Sequence, residues 1–331
     1  MGSPVHITAK IKAHSSGSGM RVTGTVVAVN SGGVTFNCYA GSVGGGSEET
    51  SSSTGSLAGY TMTFQHEFDA EPILQVDGGP FNPYFIYFGG SAQPDGLAGF
   101  RWWGDELQVY ATSAYTAAPF KAYTMSSSVI TLLGQSKSTS WTTIQPYVSG
   151  CLETDKGGWW EASATRAGNA GFEQKFGYWE IRCKLEVNNK GIWNAFWLTG
   201  GVLAGQFGEH PGEIDIFETI GDGYIHFAVH DHWNVHNSQG YVYTPSAGFA
   251  ASSTFHTYGM LWTSDRIAWF VDGVKVTSAS AYYATLYNAQ CGPMFTTINQ
   301  AIGGWAGSPD GTTSWPARFE IDYVRAYSAS A

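Results

Sequence analysis

Between Tyr178 and Leu185 the chain alternates without a break, with Trp179, Ile181, Cys183 and Leu185 on one side and Tyr178, Glu180, Arg182 and Lys184 on the other. A two-residue period is the repeat of an extended strand with one face buried and one wet, so the segment predicts a half-buried antiparallel strand. Similar signals recur along the chain. Ile267 to Val276 carries Asp272-Gly273 between apolar runs, the pair that tolerates positive φ in a two-residue hairpin, and Phe319 to Tyr327 reads as a closing strand. With 43 Gly and only 13% charged residues, the composition favours short strands and tight turns over amphipathic helices. No repeat of fixed period is visible, which argues against a propeller or a β-helix. The expected fold class is all-β, two packed antiparallel sheets with little helix.

At 331 residues one large domain with a small appendage fits best. Residues 43–57 form an acidic Gly/Ser/Thr-rich stretch that cannot bury apolar surface and reads as a linker. The expected division is a small β-rich segment with its linker over 1–57 and a main domain over 58–329. Within the first part, Met20 to Val29 and Gly33 to Tyr39 read as two strands around an Asn-Ser-Gly-Gly turn, too little for a core of their own.

A formal net charge of -10 with only 16 Lys+Arg argues against nucleic acid, whose phosphates demand clustered cations. A neutral partner suits such a surface better. No apolar run approaches the roughly 18 residues that span a membrane, and Met1-Gly2-Ser3-Pro4 begins no signal peptide. Cys38, Cys151, Cys183 and Cys291 show no C-x-x-C spacing, so neither zinc nor a disulfide framework is indicated and buried free thiols are expected. Thirteen Trp and eighteen Tyr exceed the needs of a core, and stacking on sugar faces is one use for the surplus.

The chemistry concentrates in Gly212-Glu213-Ile214-Asp215-Ile216-Phe217-Glu218. Residues two apart share a face, so Glu213 and Asp215 point one way and Ile214 and Ile216 into the core. Glu218 breaks that phase. In register it would join the isoleucines, where an ionised carboxylate costs several kcal/mol, roughly, unless paired. One extra residue at Ile216 and Phe217, a β-bulge, returns Glu218 to the face of the other two acids. Three crowded carboxyls raise the pKa of at least one, giving the protonated acid beside an ionised neighbour that glycoside hydrolysis requires. A solvated strand face or a calcium-binding carboxylate cluster would share the same local pattern.

With its neighbours, the Glu213-to-Glu218 motif resembles the catalytic signature of glycoside hydrolase family 16 in its bulged, laminarinase-like form. Glu67-Phe68-Asp69, Glu106-Leu107-Gln108-Val109-Tyr110, Tyr147-Val148-Ser149-Gly150, Gly177 to Arg182, Gly191 to Leu198, Phe255 to Tyr258, Trp269 to Gly273, Asn299 to Trp305 and Ile321 to Arg325 resemble further family segments in the family's order. The resemblance spans roughly residues 59–328. It implies a concanavalin-like β-jelly roll whose concave sheet forms a substrate cleft. It also implies Glu213 as nucleophile, Asp215 as its assistant and Glu218 as acid/base. His230 resembles the family's cleft histidine near the acid/base, with His226 as competitor. Trp193, Trp197 and Trp305 resemble aromatics that stack on sugar rings. No cofactor is implied for catalysis, while Glu67 and Asp322 lie where some members hold a structural calcium.

Departures bear on specificity. Gly104-Asp105 stands where laminarinases carry an Asn pair, Gly150-Cys151 where they carry an Arg, Asn194 replaces a Pro and Phe217 a Met. The implied function is endo-hydrolysis of a β-linked glucan or galactan with retention, β-1,3-glucan first. A transglycosylase would differ only in the acceptor, and a carbohydrate-binding or structural module would have no use for the acids. Met20 to Val26 with Gly44-Gly45-Gly46-Ser47 resembles a short segment of phage tail proteins, which implies a virion as partner and an extracellular or virion-associated location.

Overall fold

The computed structural model describes residues 11–15, 20–26, 34–39, 59–70, 72, 105–110, 122–136, 145–154, 171–202, 212–231 and 237–329. The linker at 43–57, and with it the expected domain boundary, lies outside them. At the N-terminus Ile11–Ser15, Met20–Val26 and Val34–Tyr39 form a separate three-stranded antiparallel sheet. The latter two match the expected pair. Ile11–Ser15 is an addition to the expected pair, and the alternation of Ile11 and Ala13 with Lys12 and His14 is the strand signal for it.

The remaining strands build two sheets. One is seven-stranded and runs Glu173–Gln174, Cys291–Ile302, Ile192–Val202, Gly212–Thr219, Ile225–Asp231, Asn237–Tyr243, with Cys151–Glu153 also paired to Cys291–Ile302. The other is ten-stranded and centres on His256–Trp262, Gly177–Lys184 and Ala317–Ala329. Among the described residues its one parallel pairing joins Gln108–Tyr110 to Tyr147–Ser149. Side chains from the facing surfaces make one large core, with Phe196, Leu198, Ile214 and Val229 from the first sheet against Trp179, Ile181, Met260 and Ile321 from the second. The all-β sandwich expected from the strand signals is the observed fold.

Local signals explain individual elements. Ile267–Val271 and Val274–Ser278 pair as a hairpin closed by Asp272 at φ 49° and Gly273 at φ 75°, the two positive angles its tight turn needs. Gly177–Lys184 departs from expectation. It is not half-buried, because Tyr178 and Glu180 are buried too. A second, smaller core of Tyr178, Leu261, Ala268, Phe270 and Tyr327, joined by Tyr60 and Met62, covers what alternation alone suggested was a wet face. Glu180 is satisfied there by hydroxyl donors, Tyr323 at 2.7 Å and Tyr178 at 3.3 Å. Only Arg182 and Lys184 keep the solvated character, paired with Asp322 and Glu320.

Among the described residues one α-helix, Ala281–Gln290, precedes the long strand Cys291–Ile302 and buries Tyr283, Ala284 and Tyr287. Cys151, Cys183 and Cys291 are free and buried, as expected for those three.

Candidate active site

The acidic strand Gly212–Thr219 lies between Ile192–Val202 and Ile225–Asp231 in the seven-stranded sheet. Its register slips where the charge pattern demands. Against the first neighbour, Trp197 pairs with Asp215 and Phe196 with Phe217, which leaves Ile216 as the extra residue. On the other side Asp215 faces Ala228 and Glu218 faces His226, so Ile216 and Phe217 together span the single residue Phe227. That is the β-bulge. Ile214, Ile216 and Phe217 are all fully buried in the main core. Phe217 packs against Tyr258 and Phe319, with ring centroids 5.1 and 6.0 Å away. Glu213, Asp215 and Glu218 are thereby turned to the opposite, outer face.

There the acids meet distinct partners. The His230 Nε2 lies 3.0 Å from Asp215 Oδ2 and 3.7 Å from Glu213 Oε1. Burial pulls the imidazole pKa down, but the Asp215 hydrogen bond and the charges of Asp215, Glu213 and Glu218 outweigh it and push it up to about 9. His230 is therefore a cation at neutral pH. At the other end Trp193 Nε1 donates to Glu218 Oε1 at 2.9 Å. Burial, then the charges of Asp215 and Glu213, hold Glu218 well above the usual carboxylate range, against the smaller opposing pull of His230 and the Trp193 bond. One carboxyl is biased towards its protonated form beside carboxyls that share a cation, which is the division of labour that acid-assisted displacement needs.

His230 sits across the strand pair from Glu213, not from Glu218. His226 takes the place opposite Glu218. Its Nε2 is 2.9 Å from Asp222 Oδ2, and its ring meets Trp305 edge-on at 5.0 Å. Both histidines lie on the site face, so sequence competition between them resolves into two ends of one surface.

Trp193 and Trp197 point to the same face from Ile192–Val202. Trp197 is oriented by Nε1 donating to Asn299 Oδ1 at 2.8 Å, and Asn299 Nδ2 donates in turn to the Tyr110 hydroxyl at 2.8 Å. Trp305, 51% exposed, stands edge-on to Trp193 at 5.8 Å. The turn that presents it depends on glycine. Gly303 has φ 86°, and a Cβ there would lie 2.6 Å from the Leu107 side chain. Asn299 and Tyr110 belong to segments the sequence singles out, and strand parity places Asn299 on the site face. Their bond across 189 residues has no sequence signature.

The departures from the laminarinase pattern fall on both faces. Asn194 is buried on the core side, accepting from Gln300 Nε2 at 2.9 Å, and Phe217 fills the core. Neither reaches the site. Cys151, however, is cross-strand to Asn299 and packs with Tyr110, Ala301 and Trp193, so an apolar patch lies beneath Trp193 at the position of the family's arginine.

The metal expectation does not fit the residues. Arg325 Nε and Nη2 each donate to Glu67 at 2.8 Å, and Asp322 is bound by Arg182. Each carboxylate is already neutralised, and neither joins a group of three candidate ligands among the described residues. Glu213, Asp215 and His230 do gather within 4.8 Å. There the His230 imidazole makes ion-pair contacts with both carboxylates, at 3.0 Å to Asp215 and 3.7 Å to Glu213.

The family model for glycosyl hydrolases family 16 matches residues 136–325, more than half of the chain. The chain belongs to glycosyl hydrolase family 16. Among curated relatives, this family 16 chain is 28% identical over 272 residues to an endo-1,3-1,4-beta-glycanase of Rhizobium meliloti (strain 1021), covering 82% of the chain and 52% of the relative. It thus spans about half the length of that relative. It is 31% identical over 168 residues to the glucan endo-1,3-beta-glucosidase A1 of Niallia circulans, covering 46% of the chain and 24% of that relative. Among solved structures it resembles the laminarinase catalytic domain from Thermotoga maritima MSB8, with a TM-score of 0.60, 27% identity and coverage of 82% of this chain and 99% of that one.

Proposed function

We propose that this family 16 chain is an endo-acting hydrolase of a β-linked glucan, working by double displacement with net retention of anomeric configuration. The observation that carries the reading is the bulge at Ile216 and Phe217, which puts Glu218 on the same face as Glu213 and Asp215. Support for a β-linked glucan comes from one relative described as a glucan endo-1,3-beta-glucosidase and another described as an endo-1,3-1,4-beta-glycanase. The aromatic groups Trp193, Trp197 and Trp305 offer rings for stacking on neutral sugars.

In this reading Glu218 donates its proton to the glycosidic oxygen as Glu213 attacks the anomeric carbon. The C–O bond to the leaving sugar breaks and an ester to Glu213 forms. Glu218, now a carboxylate, takes a proton from water, whose oxygen attacks the anomeric carbon; the C–O bond to Glu213 breaks, Glu213 leaves as a carboxylate and Glu218 is again protonated. Asp215 holds the His230 cation beside Glu213, which steadies the nucleophile and offsets repulsion among the three acids. No cofactor enters these steps. We place the protein's action outside the cell, where polysaccharides too large to cross a membrane are met.

The test is reducing-end release from laminarin, lichenan, agarose and bacterial exopolysaccharides, with the first-formed anomer read by proton NMR. The expected result is cleavage of laminarin or lichenan with the β-anomer appearing first. Absence of cleavage across the panel would favour a carbohydrate-binding module, and an α-anomer would remove the double displacement.

A further inference from the structure

Tyr287 lies on the helix Ala281–Gln290 and is fully buried in the main core, yet its hydroxyl reaches the acidic strand. It accepts the Glu213 backbone N–H at 3.1 Å and stands 2.5 Å from the Glu213 carbonyl and 2.6 Å from the His230 carbonyl. Glu213 and His230 are cross-strand partners. One phenol oxygen therefore serves three backbone groups at the single residue pair that supplies the attacking carboxylate and the imidazolium. A ring needed only to fill the core would not place its polar atom there, since a buried hydroxyl costs free energy unless it is bonded. Burial also keeps the phenol proton bound well above the ordinary tyrosine range, so it remains a donor.

We propose that Tyr287 is a positioning residue for the nucleophile, its hydroxyl fixing the Glu213 backbone against that of His230 so that the carboxylate meets the anomeric carbon in line. The inference rests on Glu213 as nucleophile. Both groups held on Glu213 are its own N–H and C=O, which flank the Cα carrying the carboxylate. A small rotation of this segment displaces the attacking oxygen without touching the aromatic sugar contacts, so the effect falls on turnover and not on binding.

Tyr287→Phe is expected to lower kcat by about 10- to 100-fold with KM for laminarin unchanged. Laminarin binding by Glu213→Gln is expected to be the same with and without Tyr287→Phe. Tyr283→Phe, on the same helix but outside these contacts, should leave kcat alone. Wild-type kcat in Tyr287→Phe, or a loss expressed in KM, would overturn the assignment. In the unaltered protein, amide hydrogen exchange at Glu213 should be as slow as at Ile214, and exchange at loop-like rates would overturn it even if Tyr287→Phe fails to fold. Full activity in Glu213→Gln would sink the nucleophile itself, whereas an inactive Glu213→Gln beside a fully active Tyr287→Phe would sink only this role.

Discussion

At its start the acidic strand holds Glu213 beside a charged imidazole, with the carboxylate side chain 28% exposed. Towards its end it holds Glu218 beside a neutral indole, only 9% exposed and pushed towards its protonated form. The residue type, strand and sheet face are shared, so the difference comes from what flanks each end and from the bulge between them. In an unbroken register Glu218 would fall opposite the core residue Ile225, whereas the bulge sets it opposite His226 and gives one face two environments of opposite electrostatic sense. The lesson is that a single backbone irregularity can separate the roles of two identical side chains.

Glu218→Gln strikes the comparison hardest. It removes the transferable proton but keeps the shape and the oxygen that accepts from Trp193. A loss of about 10²–10⁴-fold in kcat is expected on substrates with poor leaving groups. Thermal stability should move the other way. Glu218 has a folded pKa raised above its ordinary 4.5, so its contribution to stability is complete below that value and is lost as pH rises through the folded one. The glutamine does not titrate, and its melting temperature should exceed the parent's increasingly as pH rises, as thermal scans across pH will reveal.

Phe217→Ala attacks the core side of the same bulge. Truncating a fully buried phenylalanine costs about 3–5 kcal/mol, measurable by urea unfolding, and a much smaller cost would mean the bulge is not anchored by its core residues. His230→Asn sharpens the Glu213 end. The imidazole rises from 6.5 to about 9 on folding, so the stability it confers is full below about pH 6.5 and disappears as pH climbs through about 9. The variant should lack that decline. Trp193→Phe is the mildest probe. Its indole bond favours the charged form of Glu218, and its loss should move the alkaline limb of kcat/KM upwards by up to about one unit.

Much of this was legible before any coordinates. The Glu218 phase conflict required an irregularity, and only a bulge satisfied both the isoleucines and the acids. Asp272-Gly273 specified its own hairpin. What escaped the sequence depends on contacts between distant segments. Alternation in Tyr178 to Leu185 could not reveal that a second layer of Tyr60, Met62 and Phe270 covers its outer face. The Ala281–Gln290 helix mixes three Ala, a Leu and a Gln with three Tyr, a Thr and an Asn, is only ten residues long and has no side-chain cap bond at Ser280, so its local preferences are weak and tertiary packing of Tyr283 and Tyr287 decides it. Likewise, Glu67 and Asp322 read as ligands only while their arginine partners, one of them 258 residues away, were out of sight.

The contrast between the strand's two ends is tested most directly by trapping the covalent intermediate. Incubation with an activated 2-deoxy-2-fluoro glucan oligosaccharide, whose fluorine slows both displacements while its good leaving group restores the first, should leave one glycosyl adduct by mass spectrometry. The account predicts that adduct on Glu213 and none in the Glu213→Gln protein. An adduct on Glu218, or steady hydrolysis of natural glucan with no trappable ester on either residue, would contradict it.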